Sequence, residues 1–178
     1  CNFRGEELAP LEEITVRKSI EQLKKHNIKT VGVCLIHSYA NPAHEKRVAE
    51  IIAEDFPEAI ISLSSKVLPE YREYERAVTT LVDVFIKPHM SNYLKIIAEE
   101  LSPDLRLCPL LVMQSAGGVL SAEQVVDKPI TTALSGPAAG ALGGSVVAEI
   151  AGFKNVITLD AGGTSTDICL IENGKPNI

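Results

Sequence analysis

The residues best suited to chemistry lie in one short segment, DAGGTSTD (160–167), between two apolar stretches. Adjacent glycines allow a tight turn whose backbone N–H groups point into one concavity, and such a concavity binds phosphate. Residues 164–166 add hydroxyl donors, while Asp160 and Asp167 offer the oxygen ligands that a hydrated Mg²⁺ ion uses. The pattern predicts a phosphate-binding hairpin with a magnesium ion.

Two common phosphate motifs do not fit this segment. No lysine follows the glycines, as it would in a Walker A loop, and the segment is followed by a predicted strand rather than by the helix of GxGxxG. The same eight residues are also typical of a plain β-hairpin whose Asp and Thr side chains satisfy the turn. Two acids around Gly-Gly-Thr favour the phosphate interpretation.

A second candidate is the predicted helix that begins at Ser135 and extends to about residue 150. A helix N-terminus attracts anions, so Ser135 and Gly136 are interpreted either as an anion site or as simple capping. Gly136, Gly140 and Gly144 leave one face bare, although a glycine inside a helix costs about 1 kcal/mol relative to alanine. For Gly140 and Gly144 the spacing favours close packing against another element.

A third candidate is the segment HSYANPAHE that begins at His37, at the carboxyl end of a predicted strand. His37, His44 and Glu45 are side chains that a metal or a substrate uses. A further ligand is not evident, so ordinary loop roles are favoured. The run YREYER (71–76) is interpreted as a solvated helix start with internal ion pairs, with a substrate-facing arginine as the alternative. Cys108 has no nearby base that would make it a nucleophile.

The elements that must position these segments alternate between helices and strands, which predicts an α/β fold. A strand at 30–36 and a strand at 59–64, joined by a helix after Asn41-Pro42, are expected to pair in parallel. A helical pattern holds from residue 74 to residue 101 across Pro88, as one kinked helix or two. The remaining predicted elements are a helix around 16–23, a buried strand at 109–114, a short helix capped by Ser121 and Gln124, and strands at 156–159 and 168–171.

Composition excludes several classes of protein. The chain has 178 residues, of which 46% are hydrophobic and 22% charged, which suits a globular fold with a real core. No apolar run approaches the ~20 residues that cross a bilayer. The formal charge of −6, without a basic stripe and without tryptophan, argues against nucleic-acid binding.

The cysteines predict the cellular compartment of the chain, and the N-terminus predicts its position within a longer protein. Cys1, Cys34, Cys108 and Cys169 are widely spaced, which predicts buried thiols in a reducing cytoplasm rather than disulfides or a zinc site. The N-terminus has neither an initiator Met nor the apolar core of a signal peptide, so we expect the chain to begin within a longer protein.

The uneven composition of the chain predicts that it has two parts. Only 2 of the 12 glycines, but 13 of the 17 Lys and Arg residues, precede Leu101.

Several segments, in this order, resemble the hydantoinase A / 5-oxoprolinase family, which includes N-methylhydantoinase A, 5-oxoprolinase and subunits of acetone and acetophenone carboxylases. The segments are HSYANPAHE, PEYREYERA, QSAGG, SGPAAGALGG and LDAGGTSTD. The resemblance implies an actin-like, ribonuclease-H-type ATPase fold with two lobes that close on ATP. Residues 1–100 would be the end of the first lobe with its connecting helix, and residues 101–178 the start of the second.

The resemblance also implies roles for single residues. The second lobe's phosphate hairpin would consist of Asp160, Gly162, Gly163, Thr164 and Thr166. Asp160 would hold Mg²⁺ through water, and Asp167 would fix the turn or reach the magnesium shell, so both are candidate catalytic carboxylates. A full member has another Asp-Gly-Gly-Thr hairpin near its N-terminus. None precedes Asp160 here, so the chain is not expected to hydrolyse ATP by itself.

The activity implied for the whole protein is the ATP-dependent opening of a cyclic amide or imide, or the activation of a ketone for carboxylation. Phosphorylation turns the carbonyl oxygen into a leaving group, and an enzyme assists such a transfer by positioning and charge neutralisation. The implied cofactors are ATP and Mg²⁺, and the implied partner is a second, hydantoinase B-like subunit in the cytoplasm. Two alternatives stay open: a non-catalytic nucleotide-sensing or interaction lobe, and a metal-dependent hydrolase that uses His37 and His44.

Overall fold

A computed structural model describes residues 1–101 and 108–177, and the contacts within the chain divide it into two units, Cys1–Tyr93 and Leu94–Ile178. Both units combine helices with strands, so the predicted mixed α/β class is confirmed. No helix among the described residues is both long enough and apolar enough to cross a membrane.

The first unit contains the predicted strand-helix-strand arrangement. Strands β1 (Thr30–Val33) and β2 (Ile60–Leu63) pair in parallel, with Thr30 opposite Ile60 and Val33 opposite Leu63. The helices of this part are α1 (Glu13–Lys25), α2 (Ala43–Asp55) and the short α3 (Ser64–Val67). Strand β1 is shorter than predicted, because Leu35 leaves the ladder and donates its backbone N–H to Glu45.

Apolar side chains from α1, α2 and both strands form the core of this unit. The spacing of Val48, Ile51 and Ile52 along α2 predicts their burial, and all three are buried. The complete cluster consists of Ile20, Val33, Val48, Ile51, Ile52, Phe56 and Leu63.

Helix α4 (Glu73–Glu100) is one continuous helix that contains Pro88, which decides between the two predicted forms. Its first half packs on β1, where a Cβ added to Gly32 would lie 3.3 Å from Leu81 Cδ2. Glycine at this position therefore lets the helix approach the strand closely.

The second unit starts with an antiparallel ribbon of β3 (Leu111–Met113) and β4 (Val119–Ser121). The capping box of Ser121 and Gln124 begins α5 (Ala122–Asp127) as predicted, and a 3-10 helix (Pro129–Thr132) follows. The prediction that β3 is buried is wrong, since Leu111 is 53% exposed. Its only strand partner among the described residues is β4, so an apolar run did not indicate a central strand.

The rest of the second unit is a helix on a small sheet. Helix α6 (Ser135–Ile150) contacts the sheet of β5 (Val156–Ala161), β6 (Thr166–Glu172) and β7 (Lys175–Pro176). Side chains alternate between the two faces of a strand. Ile171 is fully buried, whereas Leu159 and Ile168, which pair with each other, are exposed on the opposite face.

Three charged side chains of the first unit, Glu45, Arg76 and Asp83, are fully buried. Glu45 accepts hydrogen bonds from Leu35 N at 2.9 Å, Ser64 Oγ at 2.6 Å and Ser65 N at 2.8 Å. Burial raises the pKa of the Glu45 carboxyl, but these hydrogen bonds outweigh burial and hold the pKa below its ordinary value. Glu45 is therefore an anion that ties α2 to the ends of β1 and β2.

Arg76 corrects the prediction that residues 71–76 form a solvated helix start. Its guanidinium donates to Ser64 Oγ at 3.0 Å, Glu70 O at 3.1 Å and Leu35 O at 2.7 Å. Arg72, by contrast, forms the expected exposed ion pair with Glu75 at 3.5 Å. The pattern of charges did not distinguish these two arginines, because burial depends on contacts from distant segments.

Replacing Glu45 by glutamine should lower the free energy of unfolding by about 3 kcal/mol near pH 7, because an amide leaves buried donors unpaired. The folded pKa lies below the ordinary value of 4.5, so this stabilisation is present above that pH and is lost as the pH falls through the folded pKa. Urea unfolding followed by circular dichroism at several pH values measures both effects.

The matched control is Glu50→Gln on the same helix, where Glu50 forms an exposed ion pair with Arg47. Its loss should stay below about 1 kcal/mol. Equal losses in the two variants would contradict a special role for the buried carboxylate.

Candidate functional site

The segment DAGGTSTD forms the tip of an antiparallel hairpin, as its sequence predicts. Asp160 pairs with Asp167 and Ala161 with Thr166, so residues 162–165 form the loop. Because side chains alternate along a strand, both aspartates lie on the face that α6 covers. Like charges directly opposite each other destabilise a strand pair, which favours a cation between them.

The two loop glycines were predicted to allow a tight turn with free N–H groups, and the structure differs from this prediction. Neither Gly162 nor Gly163 has a left-handed backbone, so the turn does not depend on glycine's conformational freedom. The Gly162 N–H donates to Ser165 O at 2.9 Å and closes the loop, which makes this N–H unavailable to phosphate here. A Cβ added to Gly163 would meet nothing within 4 Å, so the missing side chain leaves open space above the backbone.

A groove of about 500 Å³ separates the first half of α6 from the hairpin. Asp160 and Asp167 line one wall, and Pro137 and Gly140 line the other. A ligand in this groove would contact both carboxylates and a stretch of helix without large side chains.

The three predicted stripe glycines of α6 have different surroundings. A Cβ on Gly144 would clash with Thr158 Cγ2, which confirms close packing of the helix on β5. A Cβ on Gly140 or Gly136 would meet nothing within 4 Å, so the packing explanation is wrong for Gly140. Thr158 lies two residues before Asp160 on the same strand face, so the groove opens from this contact towards the carboxylates.

The start of α6 carries the other predicted anion site. Leu134 precedes the helix with a left-handed φ of 61°, and its side chain does not cap the helix. Ser135 and Gly136 follow, but the residue of this turn that lines the groove is Pro137. An anion role for Ser135 and Gly136 stays a prediction.

The predicted hydroxyl donors are divided between the loop and a strand. Thr164 is exposed in the loop, next to Gly163. Thr166 pairs with Ala161, and strand alternation places it on the face opposite the two aspartates. Of these two threonines, Thr164 has the better position for a phosphate on the loop.

The donor set fits a magnesium ion bound together with a phosphate. Mg²⁺ in nucleotide sites uses one or two carboxylates, and water and phosphate oxygens complete its shell. Asp160 and Asp167 supply two such carboxylates. No group of three or more His, Cys, Asp or Glu side chains in residues 1–101 and 108–177 is arranged to hold a metal ion, so these carboxylates need a ligand's oxygens.

The segment 37–45 does not form a metal site in the described structure. The Nε2 atom of His44 lies 3.2 Å from Glu7 Oε1, and Glu45 is occupied by the buried hydrogen bonds given above. His37 Nδ1 lies 3.4 Å from Tyr39 Oη and 3.7 Å from Glu73 Oε1. No spacing in the sequence indicates that His37 lies beside Glu73, 36 residues further along the chain.

The cysteines differ from their prediction as buried thiols. All four are free, but Cys108 is exposed and Cys1, Cys34 and Cys169 are only partly buried. Cys169 faces α6 from β6 and lines the groove.

The fold, the groove and the paired carboxylates define an α/β protein with a candidate phosphate site, and comparisons with known proteins agree with this class. A family model described as "Hydantoinase/oxoprolinase" matches residues 76–178, and another, for the N-terminal region of that family, matches residues 1–56. The first match covers more than half of the chain, so the chain belongs to the hydantoinase/oxoprolinase family. The resemblance inferred from the motifs is thereby confirmed.

Individual relatives share sequence with nearly the whole chain. Caprolactamase subunit alpha of Pseudomonas jessenii is 32% identical over 97% of this chain and 25% of that protein. 5-Oxoprolinase 1 of Arabidopsis thaliana is 34% identical over 93% of the chain and 12% of that protein. The chain therefore spans a quarter or less of the length of these relatives.

Two solved structures have the same fold over nearly the whole chain. The crystal structure of the ATP-dependent caprolactamase from Pseudomonas jessenii matches with a TM-score of 0.81 at 31% identity, over 94% of this chain and 24% of the other. Nucleotide-free acetone carboxylase matches with a TM-score of 0.78 at 27% identity, over 99% and 26%.

Adding a methyl group at Gly144 should lower the free energy of unfolding by about 1–3 kcal/mol, because Gly144→Ala overpacks the contact with Thr158. Gly143→Ala on the same helix is the control, since a Cβ there meets nothing within 4 Å. The control should gain up to about 1 kcal/mol from helix propensity. Thermal unfolding of both variants measures the difference, and similar midpoints would contradict the tight helix-sheet contact.

Proposed function

We propose that this chain is part of an ATP-dependent enzyme of the hydantoinase/oxoprolinase type, and that its groove binds the phosphates of ATP with Mg²⁺. The observation that carries the proposal is the pairing of Asp160 with Asp167 on the wall of a groove, next to an open glycine loop. Two adjacent carboxylates repel each other unless a cation neutralises them. A phosphate with bound Mg²⁺ would neutralise the two carboxylates and would fill the open space of this groove.

Each group in the groove has a separate task in this proposal. Asp160 and Asp167 hold Mg²⁺, directly or through water, and the ion neutralises phosphate charge. The Gly163 N–H, for which the described residues provide no hydrogen-bond partner, and the Thr164 hydroxyl donate to phosphate oxygens. Gly140 leaves room for the phosphates beside α6.

The names of the relatives support a carbonyl compound as the substrate. Caprolactamase and 5-oxoprolinase are named for cyclic amides, and acetone carboxylase for a ketone. We therefore propose a cyclic amide or a ketone whose oxygen accepts phosphate from ATP. Because the matched caprolactamase is named a subunit, a second subunit of the hydantoinase B type is the proposed partner.

The proposed architecture is an actin-like ATPase fold, with residues 1–100 in the first lobe and residues 101–178 in the second. The hairpin of β5 and β6, covered on one face by α6, supports a phosphate site in the second part. The free cysteines support a reducing compartment, the cytoplasm.

Replacing Asp160 by asparagine should weaken binding of Mg²⁺·ADP to the whole protein and lower substrate-stimulated phosphate release by about 100-fold or more, because the variant removes charge from the metal shell. Calorimetric titration with Mg²⁺·ADP and a phosphate-release assay with hydantoins, 5-oxoproline and ketones plus bicarbonate measure the two effects.

Asp127→Asn, at an exposed position on α5, is the matched control and should leave both quantities unchanged. Equal activity of the Asp160 variant and the control would refute the site. Phosphate release that no carbonyl compound stimulates would instead favour a nucleotide sensor.

A further inference from the structure

His37 has an unusual backbone conformation at the carboxyl end of β1. Its φ is 58°, in the left-handed region, and its side chain is 29% exposed. A residue other than glycine in this region is strained and persists where the surroundings enforce it, often at functional sites. Burial of the imidazole does not explain the conformation.

Hydrogen bonds to the half-exposed Glu73 and to buried polar groups hold this loop. The backbone N–H of His37 donates to Glu73 Oε1 at 3.4 Å, and the buried Arg76 donates to Leu35 O at 2.7 Å. Ser38 Oγ and Ser64 Oγ, both buried, lie 3.0 Å apart. The loop is thus fixed by a charged network while the imidazole stays partly accessible.

The two ring nitrogens of His37 have different surroundings. Tyr39 Oη and Glu73 Oε1 lie on the Nδ1 side, whereas Nε2 has no hydrogen-bond partner in the part of the chain that the structure describes. The hydrogen bond from the His37 N–H is the main cause that holds the pKa of the Glu73 carboxyl below its ordinary value, so Glu73 is an anion. A carboxylate beside Nδ1 favours a proton on that nitrogen, which leaves the lone pair on Nε2.

The position in the sheet also favours a ligand. Ligands of open α/β sheets bind at the carboxyl ends of parallel strands, and His37 follows β1 at that edge. Every residue of this cluster belongs to the first unit, so the cluster is a separate feature from the groove beside Asp160.

We propose that His37, oriented by Tyr39 and Glu73, is a proton acceptor for a small carbonyl compound that has an N–H or an acidic C–H next to its carbonyl carbon. This inference rests on the proposed function. Cyclic amides have such an N–H and enolisable ketones have such a C–H, so one base serves both substrate classes.

The proton transfer makes the carbonyl oxygen a better nucleophile. The N–H or C–H bond breaks, the proton forms a bond to Nε2, and the electron pair left behind delocalises onto the carbonyl oxygen. Histidine is the side chain that most often serves as a general base, and such catalysis contributes about 100-fold to 10,000-fold.

The test uses the whole protein with its partner subunit and the substrate found active in the phosphate-release assay. His37→Asn should lower kcat/KM for that substrate by about 100-fold or more, while the affinity for Mg²⁺·ADP stays unchanged. Asparagine tolerates the left-handed backbone, so circular dichroism should show a native fold. His44→Asn is the matched control, because His44 Nε2 is already paired with Glu7, and it should keep wild-type kinetics.

A second variant separates a proton acceptor from a structural residue. His37→Gly, which also fits a positive φ, should regain activity when imidazole is added, whereas a structural defect would not respond. A folded variant without recovery, or a His37→Asn variant with unchanged kcat/KM, overturns this inference and leaves the proposed function intact. A wild-type protein that no carbonyl compound stimulates overturns both.

Discussion

Asp160 and Asp167 lie opposite each other across the hairpin, and the proposed phosphate site depends on this pairing. Backbone pairing fixes the register, and strand alternation then places both carboxylates on one face. A register slip of one residue would separate the two carboxylates and would move Ile171, which is fully buried, to the exposed face. The repulsion between the two carboxylates is therefore built into the fold, and the proposed Mg²⁺ ion would relieve it.

Helix α6 makes this charged face into a groove. Its bare stripe contacts Thr158 at Gly144, whereas Gly140, one turn earlier, has no neighbour that an added Cβ would meet. The same repeat of glycines thus gives close packing at one point and open space beside the carboxylates. The glycines of the stripe lower the helix propensity of α6, and their missing side chains leave the space of the groove.

The sequence predicted the local structure of this region well, because its signals are local. Turn residues between two apolar runs indicated the hairpin, and Ser121 with Gln124 indicated the start of α5. It did not predict the burial of Arg76, since the partners of that guanidinium are Leu35 and Ser64, far away in the chain. Nor did it show that Gly162 closes the loop with its own N–H.

The most direct measurement is a crystal structure of the whole protein with Mg²⁺ and a non-hydrolysable ATP analogue. We expect an ion bound by Asp160 and Asp167, directly or through one water, with a phosphate oxygen against the loop of residues 162–165. A nucleotide whose phosphates and metal lie away from both carboxylates would contradict this expectation.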